Sequence, residues 1–90
     1  MEKILNYIDG EYCQPESELW MDNFNPSTGE VYAKIANSGK DDVERAYRAA
    51  AAAFKNWSTT TLEERSAILL RIADLIDAQM DKLAEAEAQD

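Results

Sequence analysis

Apolar and polar residues follow two different periods along the chain, and the change falls near Ser38. From Val31 to Ile35 every second residue is apolar, which is the pattern of a strand with one buried face. Beyond Ser38 the apolar side chains recur at spacings of three and four, as on one face of a helix. These are Val43, Ala46, Tyr47, Ala50, Phe54 and Trp57. The pattern predicts a strand region over residues 1–37 and a helical region over residues 38–90.

Two turn signals divide the strand region. The dipeptide Asp9-Gly10 is typical of tight hairpins and lies among strand-forming residues, so residues 4–12 predict two short antiparallel strands. The stretch Asn-Pro-Ser-Thr-Gly-Glu at residues 25–30 favours a tight connection between strands, because proline fixes one backbone angle and glycine tolerates a positive one. We therefore expect short antiparallel strands in the first third of the chain.

The helical region contains two start signals. The hydroxyl of Ser38 can accept free backbone N–H groups, and two aspartates suit the positive end of a helix over residues 40–57. Thr61, with Glu64 three positions later, has the spacing of a capping box at the start of a second helix. That helix has an apolar stripe that thins near Gln79, where a break would give three helices in all. The stripe consists of Leu69, Ile72, Ile76, Met80 and Leu83.

The two apolar helix faces predict that the helices pack against each other. The expected contact residues are Tyr47, Ala50 and Phe54 on the first helix and Leu69, Ile72 and Ile76 on the second. We expect Trp20 and Trp57 to belong to the same small core. If Phe54 is buried there, replacing it with alanine is expected to cost roughly 3 to 5 kcal/mol.

Composition and charge exclude several classes of partner. The chain has 90 residues, with 9 Lys and Arg against 18 Asp and Glu, giving a formal net charge of -9. Nucleic acids and anionic membranes are therefore not expected as partners, since both are bound through basic residues. The N-terminus lacks the pattern of a signal peptide, and no apolar run approaches a membrane-spanning length. A single cysteine, Cys13, is compatible with a reducing cytoplasm.

The residues that usually perform catalysis are scarce. Histidine is absent, so the chain can form neither a Ser-His-Asp triad nor a Cys-His pair. Gly10, Gly29 and Gly39 are too far apart for a phosphate-binding loop. Cys13 has no nearby cation to stabilise a thiolate, which favours an ordinary structural cysteine. We therefore expect no catalytic residue and no cofactor-binding residue in these 90 positions.

Three stretches taken together resemble the start of the NAD(P)-dependent aldehyde dehydrogenase superfamily. They are Asn6-Tyr-Ile-Asp-Gly-Glu-Tyr, then Asn25-Pro-Ser-Thr-Gly-Glu-Val, and then the helical run from Glu64-Arg-Ser to Leu83-Ala-Glu-Ala-Glu. Within the superfamily the pattern is most similar to 2-aminomuconic and 2-hydroxymuconic semialdehyde dehydrogenases. The resemblance implies an α/β parent enzyme with a cofactor domain, a catalytic domain and an oligomerisation arm. Residues 1–90 would be the N-terminal part of the cofactor-binding domain.

The resemblance also implies the chemistry of the parent enzyme. In the family a cysteine thiolate attacks the aldehyde, hydride passes to NAD or NADP, and a glutamate-activated water hydrolyses the thioester. All these positions would lie beyond Asp90, and Cys13 matches none of them. The parent would be a cytoplasmic homo-oligomer. The chain alone is expected to bind no cofactor and to have a structural role.

One ligand is implied for this segment of the parent enzyme, a monovalent cation. Family members that bind sodium or potassium are similar to this chain at the two residues before Asn-Pro and at an aspartate that ends the helical run. Here these positions are Asn23, Phe24 and Asp90. Backbone carbonyls at an irregular strand end, together with a carboxylate, are suitable oxygen ligands for such a cation. The alternative is that Asp90 is a solvated helix-end residue.

Three functional hypotheses follow. The chain is a structural segment of an aldehyde oxidoreductase, whose partner is the remainder of that chain or another copy of itself. Alternatively, it is a small interaction or scaffold protein that has the same fold and lacks catalysis. The third hypothesis is a truncated paralogue that assembles with full-length subunits.

Overall fold

The computed structural model describes residues 1–90 and has the predicted order of strands followed by helices. The elements are β1 (Glu2–Ile4), β2 (Asn6–Ile8), β3 (Glu11–Cys13), β4 (Trp20–Phe24), β5 (Val31–Ala36), α1 (Lys40–Trp57), α2 (Leu62–Ala78) and α3 (Met80–Gln89). The predicted break lies at Gln79, whose backbone angles, φ -120° and ψ 24°, interrupt the helix between α2 and α3. No helix is both long and apolar enough to span a bilayer.

Both predicted turns connect antiparallel strands. Asp9 and Gly10 have φ values of 54° and 77°, and the pair of positive angles gives the tight turn between β2 and β3. Strands β4 and β5 pair across the turn at residues 25–29, where the backbone N–H of Gly29 donates to the carbonyl of Asn25 at 2.8 Å. The turn residues therefore fix the local strand pairing, as predicted.

Strand β1 departs from the expected antiparallel pattern, since it pairs in parallel with β5. Glu2 lies opposite Ala33 and Ile4 opposite Ile35, which makes β5 the central strand of the order β1-β5-β4. The side chain of Lys3 lies over the Trp20 ring, with its Nζ 4.8 Å from the ring centroid. This pairing joins residues that are 31 positions apart in the sequence, which no local turn signal could indicate.

The start of α1 differs from the prediction, whereas the start of α2 confirms it. Ser38 Oγ accepts a hydrogen bond from Asn6 Nδ2 at 2.7 Å and caps no helix. Instead, the carboxylate of Asp42 accepts the backbone N–H of Gly39 at 3.0 Å. At α2, Thr61 Oγ1 accepts the N–H of Glu64 at 3.1 Å, and the Glu64 carboxylate accepts the N–H of Thr61 at 3.2 Å.

The predicted packing of the two helices against each other is wrong. Tyr47 and Phe54 are 72% and 64% exposed, and Leu69 on α2 is 66% exposed. The buried residues are Ile8, Pro15, Ala33 and Asp42, which lie in or beside the strands and at the start of α1. The Cα atoms span 46 × 35 × 15 Å, a flat and extended shape in which α1 and α2 do not pack on each other. Periodicity predicts which sides of the helices are apolar, but the apolar faces of α1 and α2 do not pack against each other.

Candidate functional site

Three polar side chains from distant parts of the chain meet in one hydrogen-bonded group, here called the polar cluster: Asn23, Tyr32 and Asp90. Asn23 Nδ2 donates to Tyr32 Oη at 2.9 Å and to Asp90 Oδ1 at 2.8 Å. Tyr32 Oη donates to the same carboxylate oxygen at 3.0 Å. The structure thus brings together Asn23 and Asp90, two of the three residues predicted as cation ligands.

The β4–β5 pair and the end of α3 position the cluster. Asn23 lies opposite Ala33, whereas Phe24 lies opposite Val31, so the register shifts and Tyr32 has no direct partner on β4. Such a bulge interrupts the backbone hydrogen-bond ladder and re-aims nearby side chains. Asp90 follows the last residue of α3 and reaches the strands from the end of that helix.

Phe24, the third predicted ligand residue, takes no part in the side-chain network. Its ring is 54% exposed, and only its backbone could supply a ligand atom. It lies at the register shift of β4, where the regular ladder is interrupted. The backbone carbonyls of Asn23 and Phe24 therefore lie at an irregular strand position of the kind that the sequence predicted.

Hydrogen bonding changes the protonation behaviour of the cluster. The bond from Asn23, and then the bond from Tyr32, lower the pKa of the Asp90 carboxyl below its ordinary value. Partial desolvation, followed by the hydrogen bond to Asp90 and its negative charge, raises the pKa of the Tyr32 hydroxyl. Near neutral pH the cluster therefore contains an ionised carboxylate and a neutral phenol.

The two oxygens of Asp90 have different surroundings. Oδ1 accepts both hydrogen bonds of the cluster, whereas Oδ2 accepts none from the chain. An ionised, fixed carboxylate with one oxygen available is a suitable ligand for a hard cation. The chain contains no group of three or more His, Cys, Asp or Glu side chains placed to hold a metal ion.

Sequence reasoning missed Tyr32 as a member of the cluster. It treated this residue only as a polar position of the alternating strand. The signal was available in the turn at residues 25–29, because a hairpin closed there places Tyr32 near Asn23 on the neighbouring strand. The contact with Asp90, 58 positions away, has no comparable local signal.

Asp42 is predicted only as a negative charge at the positive end of α1, and the structure gives its carboxylate a second role in joining two segments of the chain. The carboxylate is only 3% exposed and accepts backbone N–H groups from Glu16 and Gly39, each at 3.0 Å. It thereby joins the loop before β4 to the start of α1. Both carboxylate oxygens of Asp42 accept hydrogen bonds from backbone groups of the fold. We therefore assign Asp42 a structural role.

The remaining candidates occupy ordinary structural positions. Cys13 is a half-buried free thiol at the end of β3. Gly10 and Gly29 lie in the two turns between strands, and Gly39 precedes α1.

Comparison with known proteins places this geometry in a family. The family model of aldehyde dehydrogenases matches residues 12–90. The chain belongs to the aldehyde dehydrogenase family. Relatives within the family include human 2-aminomuconic semialdehyde dehydrogenase, 44% identical over 85 residues, and an aldehyde dehydrogenase of Vibrio cholerae, 45% identical over 85 residues. Each alignment covers 94% of the chain and 17% of the relative, so the chain spans about one-sixth of their length.

Solved aldehyde dehydrogenase structures contain the same arrangement of strands and helices. A point mutant of betaine aldehyde dehydrogenase from Staphylococcus aureus, in complex with NAD+, matches with a TM-score of 0.90 and 36% identity over 96% of this chain and 18% of that one. A salicylaldehyde dehydrogenase from Pseudomonas putida G7, complexed with salicylaldehyde, matches with a TM-score of 0.84 and 27% identity over 91% of this chain and 17% of that one. The family assignment and the predicted fold class are confirmed.

Proposed function

We propose that these 90 residues form the N-terminal part of the cofactor-binding domain of an enzyme that oxidises an aldehyde to a carboxylic acid with reduction of NAD or NADP. The observation that carries this proposal is the family match over residues 12–90. NAD is supported for the parent enzyme by the betaine aldehyde dehydrogenase structure, which contains NAD+. The cofactor would accept the hydride, and the residues that hold it would lie outside this segment.

For the substrate of the parent enzyme we propose a muconic semialdehyde. Four of the relatives are named 2-aminomuconic semialdehyde dehydrogenase and share 44 to 46% of their residues with the chain. This similarity supports the proposal for the substrate.

The role that we propose for the segment is structural, within a cytoplasmic homo-oligomer. Its hydrogen-bonded strands and capped helices form defined elements, while most of its large apolar side chains remain exposed. Such a segment braces a larger body by covering it. The same exposed faces also favour the alternative, a small scaffold protein that binds a partner without catalysis.

In the parent enzyme we further propose that Asn23, Phe24 and Asp90 contribute to a monovalent cation site. The register shift at Asn23 and Phe24 supports carbonyl ligands, and the available Oδ2 of Asp90 supports a carboxylate ligand. The proposed set needs further ligands from the parent. The cation would stabilise the junction between β4 and the end of α3.

Expression of the complete reading frame that contains these 90 residues tests the enzymatic proposal. Purified protein should reduce NAD or NADP with a muconic semialdehyde faster than with betaine aldehyde or salicylaldehyde. No reduction with any aldehyde would reject the proposal and favour the scaffold alternative.

Potassium titration of the same full-length protein tests the cation site. Stability should rise with potassium in the natural protein and respond less in Asp90→Ala, while Glu87→Ala serves as a control for the loss of a nearby helix charge. An identical salt response in all three proteins would exclude Asp90 as a ligand.

A further inference from the structure

Asp9 and Gly10 form the tip of the β2–β3 hairpin, and the rest of the fold leaves this tip open. Both residues are exposed, with φ values of 54° and 77°. A methyl group in place of the Gly10 hydrogen would meet no atom within 4 Å. A groove of about 370 Å³ separates the turn from the alanine face of α1. Nothing therefore packs closely enough on the turn to fix the side chain of Asp9.

Two groups of this turn are adjacent and can react with each other. The Asp9 carboxylate forms no salt bridge or hydrogen bond within the chain, and the backbone N–H of Gly10 has no acceptor. Attack of the Gly10 nitrogen on Cγ of Asp9 closes a five-membered ring, and such intramolecular attack has a high effective molarity. Glycine also leaves the approach free of a Cβ atom. Asp9 is the only aspartate of the chain that precedes a glycine.

The hairpin is small enough to open locally. Its two strands, Asn6–Ile8 and Glu11–Cys13, have three residues each. A two-stranded hairpin is marginally stable in water by itself. Local opening at the tip therefore allows the backbone of Asp9 to rotate until the Gly10 nitrogen faces the carboxyl carbon.

We propose that Asp9-Gly10 is a modification site at which isoaspartate forms spontaneously. The Gly10 nitrogen bonds to Cγ of Asp9 and gives up its proton, and one carboxyl oxygen leaves as water, which produces a succinimide. Water then opens the ring at either carbonyl. Opening at the side-chain carbonyl restores aspartate, whereas opening at the main-chain carbonyl leaves isoaspartate. One water molecule leaves and one enters, so the reaction needs no oxidant, reductant or cofactor.

Isoaspartate changes the geometry of the hairpin. The main chain then runs through the former side chain of Asp9, which adds one methylene to a two-residue turn. Because turn type and loop length fix the register of a hairpin, the pairs Tyr7–Tyr12 and Ile8–Glu11 cannot both persist. Ile8 is only 7% exposed, and its displacement loosens β2 from the start of α1. The hairpin is therefore the part of this chain that loosens as the protein ages.

Peptide mapping of the full-length protein that contains these residues tests the site. Protein aged at physiological pH and temperature is digested with trypsin, which releases residues 4–34 as one peptide because Lys3 and Lys34 bound it. Electron-transfer fragmentation then locates isoaspartate. Asp22 in the same peptide is an internal control, since it lies within β4 and pairs with Lys34. We expect at least tenfold more isoaspartate at position 9 than at position 22.

Variants of Asp9 make the test specific. Asp9→Asn keeps a turn that Asn-Gly favours and reaches the same succinimide by loss of ammonia, so isoaspartate should accumulate at least tenfold faster. Asp22→Asn is the matched control and should show no such acceleration. Asp9→Glu keeps the charge but would need a larger ring, so it should form no product at this position. Glutamate is compatible with such a backbone, since Glu18 has a φ of 59°.

Hydrogen exchange measures the structural consequence. After ageing, β2 and β3 should exchange faster in the Asp9→Asn protein than in the Asp9→Glu protein, while β4 and β5 exchange equally in both. Equal isoaspartate at positions 9 and 22 of the natural protein would overturn the site, and this map decides the matter even where a variant fails to fold. Unchanged exchange in β2 and β3 of the modified protein would overturn the loosening of the hairpin.

Discussion

In the first 57 residues several polar contacts join positions that are distant in sequence, whereas in the helical segment of residues 61–90, here called the arm, they join near neighbours until Asp90 is reached. Asn6 bonds Ser38, and the Glu16 N–H bonds Asp42, over separations of 32 and 26 positions. In the arm the capping pair Thr61 and Glu64 is separated by three positions. The strands and the start of α1 therefore hold one another in place, while the arm takes its shape from local helix signals and leaves its large apolar side chains exposed.

Asp42→Ala should lower the free energy of unfolding most, because it removes a buried contact between positions of the first 57 residues that are distant in sequence. The substitution leaves two backbone N–H groups without their acceptor, with an expected loss of about 2 to 3 kcal/mol. Thermal denaturation should show a midpoint lower by roughly 10 to 20 °C. Asp41→Ala, an exposed neighbour in the same helical turn, should change the midpoint little. Equal effects of the two substitutions would contradict the structural role of Asp42.

Thr61→Ala should weaken the arm by about 1 kcal/mol, because it removes the hydroxyl that accepts the Glu64 N–H. Hydrogen exchange should accelerate in the first turn of α2 and stay unchanged in β4 and β5. Thr59→Ala serves as the matched loss of a hydroxyl, since Thr59 bonds the Asn56 carbonyl at the other end of the turn. Faster exchange in the strands as well would mean that the two regions are coupled more tightly than their contacts indicate.

The polar cluster connects the two regions. The stability that it contributes should depend on pH in two steps. The folded pKa of Asp90 is lowered, so its contribution is present above the ordinary carboxyl pKa and is lost as pH falls below about 4. The folded pKa of Tyr32 is raised, so its contribution is present below about pH 10 and is lost as pH rises further. The side-chain amide signal of Asn23, followed by NMR, should report both steps.

Two variants separate the steps of this pH profile. Tyr32→Phe should keep the acid step and abolish the alkaline one. Asp90→Asn should abolish the acid step. An Asn23 amide signal that is unaffected from pH 3 to 11 would show that the cluster does not persist in solution.

Phe54→Ala should have the smallest effect, less than about 0.5 kcal/mol in the chain alone, because the ring is 64% exposed. Tyr47→Ala, at a side chain that is 72% exposed, should be similarly mild. Thermal denaturation of both variants checks the expectation. A loss of several kcal/mol for either residue would restore the packed helix pair that periodicity predicted.

Local signals predicted much of this fold. The Asp9-Gly10 turn, the capping pair of Thr61 and Glu64, and the break at Gln79 all depend on residues within a few positions of one another, and the structure contains all three. Ser38 was assigned wrongly as a cap because its hydroxyl is bound by Asn6, which is distant in sequence. The parallel pairing of β1 with β5 escaped prediction for the same reason.

The error about helix packing has a different origin. A spacing of three and four shows which side of a helix is apolar, but it contains no information about what covers that side. Tyr47 and Ile72 lie on the two predicted apolar faces, yet both side chains are exposed in the structure. For the polar cluster, the family resemblance indicated Asn23 and Asp90, and the structure added Tyr32 through the register of a hairpin.

The hydrogen bond from Asn23 to Asp90 also sets an order of events during synthesis. Its two residues are separated by 67 positions, so on a ribosome that adds roughly 5 to 20 residues per second Asp90 is made about 3 to 13 s after Asn23. The β4–β5 hairpin can form within microseconds once it emerges. For those seconds Asn23 and Tyr32 are present without the Asp90 carboxylate, and α3 can be fastened to the strands only after Asp90 has been made.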